Sequence, residues 1–320
     1  MLRPILRTLN AAPMLPVLVV VIVVFSLVAP GYLNPANIQN LLRDSSVLII
    51  ASMGATLVFL VSGLDLSVGS VVAASSVTAA IVAGQSGDLA LGLVAGVVVG
   101  LLVGVLNGVL IGPLGLNPFV TTLASLLVVR ALAYVSAAIA SGQGGTAGAV
   151  AMPDGVAGFG RGVVLGIPNV FIVAIAIVVL SVLLLEKTTF GRRVRLVGQN
   201  DVAAAFAGIS VARVRLLVYA IAGLLAGVAG IILALRLGSG SPAAGDDMLL
   251  QVITAVIIGG TAVSGGSGGM VRTVWGALTI VAIERGMSVL GLKFYDNLIV
   301  LGVVILLGTL FHRVKSGRMG

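Results

Sequence analysis

The sequence contains no cysteine, a single histidine and very few charged residues. The absence of cysteine excludes disulfides, thiolate metal sites and thiol redox chemistry. Charged residues make up only 9% of the 320 residues, which leaves too little polar surface to cover a soluble domain. The composition therefore predicts a single integral-membrane domain over residues 1–320.

Catalytic patterns are also missing from the sequence. There is no Gly-x-x-x-x-Gly-Lys-Ser/Thr phosphate-binding loop, the carboxylates are scattered, and His312 lies in a basic tail. The chain is therefore not expected to hydrolyse ATP by itself or to hold a metal or cofactor. We predict that it is not an enzyme.

Long apolar runs fill the chain instead, and 59% of its residues are hydrophobic. A helix needs roughly 20 apolar residues to cross a bilayer, and lipid offers no hydrogen-bond partner to an open backbone. The predicted fold class is an all-α polytopic membrane bundle of about ten helices. The predicted spans are 14–32, 45–62, 68–84, 89–112, 119–139, 169–185, 214–235, 250–264, 270–290 and 295–311.

The net charge of +8 is concentrated in a few short connections. With the N-terminus inside, eleven Lys and Arg residues fall on the cytoplasmic side and four outside, which is the positive-inside pattern rather than that of a nucleic-acid-binding protein. Both termini are then predicted to be cytoplasmic. The same topology makes 186–213 a cytoplasmic loop and 141–168 and 237–249 outer loops.

Two further patterns concern helix packing. Residues four apart share one ridge of a helix, so a row of glycines predicts a groove that another backbone can approach closely, either in static packing or in a sliding contact. A weak similarity between 100–129 and 278–307 would be an inverted repeat of the kind that transporters use. The row of glycines in the fourth span consists of Gly92, Gly96, Gly100, Gly104, Gly108 and Gly112.

Asp65 is the only charged residue between Val47 and Asp88. An ionisable group at membrane depth is costly and is typical of a functional site. A second interpretation is that Asp65 or Ser67 caps the helix that follows. The two interpretations are compatible.

Residues 198–208 predict a short helix on the cytoplasmic face. Asn200 or Asp201 is suited to its N-cap, an Ala-rich stretch follows, and Gly208 closes it. The helix is either an ordinary connection lying on headgroups, with nearby arginines held by anionic lipid, or a docking surface for a soluble motor subunit.

Several segments of the chain resemble the permease subunit of sugar importers of the ATP-binding cassette class, the family of the ribose, xylose and galactose permeases. The resemblance covers most of the chain, and its motifs follow the family's order. The matching segments are 63–70, 117–123 leading to Arg130, 189–192 running into 198–209, 217–231, 236–245, 259–261 with Gly265-Gly266, and 276–278.

The resemblance implies partners in a bacterial cytoplasmic membrane: a second permease copy, or a related permease, that completes the path; a cytoplasmic ATP-binding cassette subunit that binds ATP and Mg; and a periplasmic or lipid-anchored sugar-binding protein. It places ATPase coupling in 198–208, with the candidates Gly198, Gln199, Asn200, Asp201, Ala204 and Gly208. Candidates for docking the binding protein are Arg236, Asp246 and Asp247. Candidates for lining the path are Asp65, Ser67, Ser70, Asn107, Asn117, Thr121 and Thr122.

The sequence departs from the family pattern in two places. After Gly245 the family commonly has Glu and, two residues on, Asp, where this chain has Leu249 and Gln251. In the ninth span, where the family often has an Asn pair, this chain has Glu284 and Arg285. We expect these two residues to pair with partners on other helices, because an unpaired charge there is costly.

Two other functions compete with ATP-driven import. An ion-coupled secondary transporter of a small polar solute would need no ATPase, and Asp65 and the possible inverted repeat favour it. An intramembrane enzyme lacks a paired nucleophile and base or a set of metal ligands, so it ranks last.

Overall fold

The computed structural model describes residues 14–142, 148–153, 157–293, 296, 299–300 and 302–303. Helices dominate this part of the chain, and two short antiparallel strand pairs lie between them. The helices are α1 (Leu15–Val28), α2 (Pro35–Leu60), α3 (Val68–Ser86), α4 (Leu89–Ile111), α5 (Pro118–Ser141), α6 (Ala157–Arg161), α7 (Asn169–Lys187), α8 (Thr189–Gln199), α9 (Asp201–Phe206), α10 (Val211–Leu237), α11 (Met248–Ile258) and α12 (Met270–Val289).

Six of these helices, α2, α3, α4, α5, α7 and α10, are long and apolar enough to cross a membrane. The helices α1 and α11 are apolar but shorter, and α12 carries the charges of Arg272, Glu284 and Arg285. The predicted helical membrane bundle is thus confirmed, while the count of ten spans stays a prediction. Most of the predicted span 295–311 lies outside the described residues.

Two predicted span boundaries are wrong. The second helix begins at Pro35 rather than near residue 45, because the Asn34 side chain accepts the Ala36 N–H (3.0 Å) and so caps nearly three additional turns that carry polar residues. The eighth span, predicted at 250–264, is a helix of only 11 residues that ends at Ile258.

The bundle has an inner and an outer layer. The helices α2, α3 and α10 are largely buried inside the protein, whereas α4, α5 and α7 leave most of their side chains at least partly exposed. The exposed faces of α4 and α5 carry leucine and valine side chains, as expected of surfaces that meet lipid.

The glycines of α4 create the close approach that the sequence predicts. The first two pack against α3, and the later ones pack against the backbone of α10. A Cβ built at Gly104 would lie 2.5 Å from the Tyr219 carbonyl oxygen and 2.8 Å from the Gly223 Cα. Glycine thus occurs on both sides of the contact, which brings the two backbones together.

The short strands lie in the two predicted outer loops. Strand β1 (Val150–Ala151) pairs with β4 (Ser239–Gly240), and β2 (Val163–Val164) pairs with β3 (Ile167–Pro168). The β1–β4 pair joins the connection between α5 and α6 to the one that follows α10. The two predicted outer loops are thus tied to each other.

Candidate functional site

A chain of polar side chains links the α2–α3 connection to α4 and α5. Asp65 Oδ1 accepts hydrogen bonds from the Ser67 backbone N–H (2.8 Å) and hydroxyl (2.6 Å). Asn107 Nδ2 on α4 donates to Ser67 Oγ (3.1 Å), and Ser125 on α5 donates to Asn107 Oδ1. We call Asp65, Ser67, Asn107 and Ser125 the polar cluster.

The backbone beside the polar cluster is also held by side chains. The Leu64 carbonyl accepts from Tyr219 Oη (3.1 Å) on α10 and from Thr122 Oγ1 (3.3 Å) on α5. These bonds satisfy a backbone carbonyl in a non-helical segment, where no intrahelical partner is present. In a membrane interior such a group needs a partner from the protein or from water. Sequence analysis missed Ser125 and Tyr219, although Ser125 shares the buried face of α5 with Thr121 and Thr122.

The candidates for lining the path fall into three groups. Asp65, Ser67, Asn107 and Thr122 come together as described, and Ser70 donates to the Ser67 carbonyl (2.8 Å). Thr121 is buried on α5, and Asn117 lies at the start of that helix, where its side chain caps it by accepting the Phe119 N–H (2.9 Å). Five of them, Ser67, Ser70, Asn107, Thr121 and Thr122, are buried within this single chain, so helices would have to separate before a solute could touch them.

Asp65 accepts from Ser67 and makes no cap to the first turn of α3. Ser67, the N-cap residue of α3, has no side-chain cap bond either. The carboxylate therefore accepts the backbone N–H of the N-cap residue at the start of α3, as the capping interpretation expects of Asp65, whereas the predicted capping by the Ser67 side chain is wrong.

Replacing Asn107 with leucine is expected to lower the free energy of unfolding by about 1 to 3 kcal/mol. The change leaves the buried Ser125 hydroxyl without its acceptor and Ser67 Oγ without one donor. Thermal unfolding of the purified protein in detergent measures the loss. Leu106→Ala is the control, since Leu106 is the adjacent residue and is exposed on the outer face of α4; an equal shift in both variants would contradict the role of the polar cluster.

The segment that was predicted to be a cytoplasmic loop consists of two helices, α8 and α9. Asn200 caps α9 by accepting the Ala203 N–H (2.9 Å), and Asp201 forms an ion pair with Arg215 on α10 (2.9 Å). Within α9, the Ala204 side chain is buried, whereas Val202 is 61% exposed and Phe206 is 90% exposed. Gly208 ends the segment with a left-handed backbone. Helix α9 therefore presents apolar side chains outward from a fixed base.

The end of α8 packs directly on the membrane helices. Gly198 lies against the Leu60 carbonyl at the end of α2, where no Cβ would fit. Ser62 Oγ donates to the Ser264 carbonyl (2.7 Å) and the Gly198 carbonyl (3.2 Å), and the Gly266 N–H donates to the Leu60 carbonyl (3.0 Å). Gly198 is thus a buried packing position rather than an exposed one.

A charge cluster joins three helices, in the N-terminal half of α2 and the last turn of α10. Asp44 on α2 forms ion pairs with Arg236 on α10 and Arg285 on α12. Gln251 Nε2 on α11 donates to Glu284 Oε1 on α12 (2.7 Å). The expectation that Glu284 and Arg285 have partners on other helices is confirmed, and Arg236 is engaged within the chain.

The segment 241–247 contacts the middle of α5. Arg130 Nη1 donates to the carbonyls of Pro242 (2.7 Å) and Ala244 (2.9 Å) and forms an ion pair with Asp246 Oδ1 (2.9 Å).

Among the described residues, no group of three or more His, Asp or Glu side chains is placed to hold a metal ion.

Comparisons with known proteins identify the family. The model of the family described as "Branched-chain amino acid transport system / permease component" matches residues 37–308. No solved structure matches the chain significantly.

The relatives are transport proteins. A ribose import permease protein of Bacillus subtilis (strain 168) is 41% identical over 302 residues, 93% of this chain and 91% of its own length. A probable ABC transporter permease protein of Escherichia coli (strain K12) is 38% identical over 315 residues, 98% and 92% of the two chains. An L-arabinose transport system permease protein of the same strain is 34% identical over 304 residues, 95% and 90% of the two chains.

These relatives are permease subunits, which confirms the prediction that the chain is a transport subunit rather than an enzyme. They also confirm the resemblance to permeases of ATP-binding cassette importers. Because the family model covers most of the chain and the relatives match it over more than nine tenths of its length, the chain belongs to this family of transport-system permease components.

Proposed function

We propose that this chain is the transmembrane permease subunit of an ATP-driven importer of a monosaccharide. Relatives named for ribose and arabinose import match more than nine tenths of the chain, which supports a sugar as the solute. The observation that carries the proposal is the apolar tip of α9, because a cytoplasmic helix that exposes Val202 and Phe206 from a fixed base suits contact with a motor protein.

The partner ATPase contacts α9 in this proposal and binds the ATP and Mg. A groove of about 490 Å³ lies beside the helix and is lined by Asp201, Val202, Ala205, Phe206 and Val211. Apolar side chains around a partly polar groove are typical of a protein interface. Of the candidates for coupling, Asn200 and Asp201 hold the helix in place, Ala204 is buried on its inner face, and Gly198 packs against the end of α2.

Movement of α9 reaches the membrane helices through direct contacts. The Asp201–Arg215 pair joins α9 to the start of α10, and Gly198, at the end of α8, packs against the end of α2. ATP binding that shifts the segment would therefore act together on α2 and α10, two of the three helices of the inner layer. Alternating access then needs only two arrangements of these packed helices.

The remaining partners follow from the same proposal. A second copy of the chain, or a related permease, completes the path, and a periplasmic or lipid-anchored binding protein delivers the sugar to the outer side. The chain lies in the bacterial cytoplasmic membrane with both termini inside. Because Arg236 is paired with Asp44, the binding protein meets the outer strands and their connections rather than this arginine.

The function is tested by uptake in proteoliposomes that contain the permease, its cassette ATPase and its binding protein. We expect uptake of radiolabelled D-ribose or L-arabinose that depends on ATP and is lost when the ATPase is omitted. If the permease alone takes up the sugar on a proton or sodium gradient, the ion-coupled carrier is the correct function.

Replacing Phe206 with aspartate is expected to reduce ATP-driven uptake by at least about tenfold, because one central aromatic residue often supplies much of an interface's binding energy. The side chain is almost fully exposed, so folding and expression should be unchanged. The control is Leu165→Asp, because Leu165 is 98% exposed on the connection between the outer strands β2 and β3. If Phe206→Asp transports normally, α9 is an ordinary connection lying on headgroups.

A further inference from the structure

The segment 241–247 turns back into the bundle after α10 has reached the outer side. Gly240 packs on the backbone of Ser76, and Gly245 packs on the backbone of Gly69, so the chain runs back along α3 toward its first turn. The next helix, α11, has only 11 residues. We call residues 241–247 the return segment.

Arg130 fixes the depth of the return segment. It is the thirteenth of the 24 residues of α5, so it lies about 18 Å from either end of that helix. Its guanidinium binds the carbonyls of Pro242 and Ala244 and the carboxylate of Asp246. The return segment therefore reaches the level of the middle of a membrane-spanning helix.

A non-helical backbone at this depth has to be satisfied by the protein or by water. Arg130 supplies hydrogen bonds to two carbonyls and a counter-charge to Asp246, and its own side chain is only 17% exposed. The Asp246 side chain nevertheless remains 55% exposed in the single chain. Lipid-facing irregular backbone and charges do not occur in the hydrocarbon region unless they line a water-filled cavity or meet protein.

We propose that the return segment lines the sugar's path at mid-depth, with Asp246 as a contact for the solute and Arg130 as the positioning residue. This inference rests on the proposed function and names part of its path. A carboxylate held by an arginine on one side keeps free lone pairs for hydroxyl donors on the other, as an uncharged polyhydroxy solute requires. Gln251, in the first turn of α11 that follows the return segment, donates to Glu284 on α12.

The absence of cysteine from the chain allows a direct test by cysteine accessibility. Ala243→Cys and Asp246→Cys are made in the complex reconstituted with its ATPase, and each is exposed to the membrane-impermeant reagent 2-(trimethylammonium)ethyl methanethiosulfonate. Ala243→Cys keeps Arg130 and its partners, because the Ala243 side chain is exposed and the guanidinium bonds to the carbonyls of the flanking residues Pro242 and Ala244. Both are expected to react, and D-ribose together with the binding protein should slow the reaction.

The matched controls are Leu127→Cys and Leu132→Cys on α5. These residues lie within three positions of Arg130 in the sequence. Their exposed fractions, 62% and 60%, are similar to the 55% of the Asp246 side chain, but they belong to the apolar outer face of α5. Because a charged reagent enters hydrocarbon poorly, the return-segment cysteines should react at least about fiftyfold faster than these controls. Equal rates would overturn the inference.

Arg130 is tested in the Ala243→Cys background. Arg130→Gln should change the labelling rate and the D-ribose protection, whereas Arg130→Lys, which keeps the charge but loses the fork of donors, should restore them only in part. If the complex imports D-ribose but its return segment does not react, the proposed function stands and the inference that this segment lines the path is overturned. A complex that labels as expected but imports no sugar has a water-lined return segment and a different function. Unchanged labelling in Arg130→Gln would overturn the positioning role.

Discussion

Gly104→Leu is expected to prevent α4 and α10 from packing and to destabilise the protein by more than about 3 kcal/mol. Even a Cβ at this position would lie 2.5 Å from the Tyr219 carbonyl oxygen, and the neighbour is backbone that cannot rotate away. A leucine would force the two helices apart along their length. Fluorescence-detected size-exclusion chromatography after heating measures the result, and we expect no monodisperse peak at a temperature that leaves the parent protein intact.

Gly84→Leu is the matched control for this prediction. Gly84 is also helical, on α3, but a Cβ there meets nothing within 4 Å. Its replacement should leave the elution profile unchanged, since leucine also has the higher helix propensity. A Gly104→Leu protein as stable as Gly84→Leu would contradict the close packing of α4 on α10.

Asp44→Ala is expected to cost about 3 to 5 kcal/mol, because it leaves two largely buried arginines without their counter-charge. Arg236 and Arg285 both pair with this carboxylate, and each comes from a different helix. The expected observation is a steep fall in thermal stability and in the amount of protein extracted from membranes.

The contribution of the charge cluster can be separated from a general effect of losing an aspartate. Asp88→Ala, which removes the exposed N-cap of α4, should cost only about 1 kcal/mol. Adding Arg285→Met to Asp44→Ala should recover part of the lost stability, since one unpaired charge is then removed. If the double variant is less stable than Asp44→Ala by as much as Arg285→Met alone destabilises the parent protein, the two residues act independently and their ion pair does not hold the helices together.

Hydropathy predicted most of the helices well because apolar length is the main constraint on a membrane span. The third, fourth and sixth spans were predicted to begin at residues 68, 89 and 169, where α3, α4 and α7 begin. The early start of α2 was missed because its first turns carry Asn37, Asn40 and Asp44, which read as a loop. Helix α8 was missed because glycines interrupt it, although Val194 and Val197 mark its buried face.

The return segment could not be predicted from hydropathy. Its composition, with Pro242, Gly245 and two aspartates, is that of an outer loop, and only the contact with Arg130 shows that it reaches the middle of α5. The polar cluster was easier to predict, since Asp65, Ser67 and Asn107 are rare polar groups in apolar surroundings. The hydrogen bonds that these polar groups form across helices depend on tertiary packing, so the sequence does not predict them.

The contacts form a continuous connection from α9 to the return segment. Gly198, at the end of α8, packs on the end of α2, and Ser62 Oγ donates to the Gly198 carbonyl. The connection that follows α2 carries Asp65, which bonds to Ser67. Gly69, in the first turn of α3, then packs on Gly245 of the return segment. Such a connection couples the two sites only if events at both ends shift the equilibrium between the same two arrangements of the helices. Labelling of Ala243→Cys with and without ATP would reveal that coupling.

The most direct test of the account is photo-crosslinking from α9 in intact cells. A photoreactive amino acid in place of Phe206 is predicted to crosslink this chain to a cassette ATPase, and one in place of Leu165 is predicted to give no such product. If the Phe206 position never joins an ATPase, or is labelled by an impermeant reagent from outside the cell, the proposed coupling to ATP is wrong.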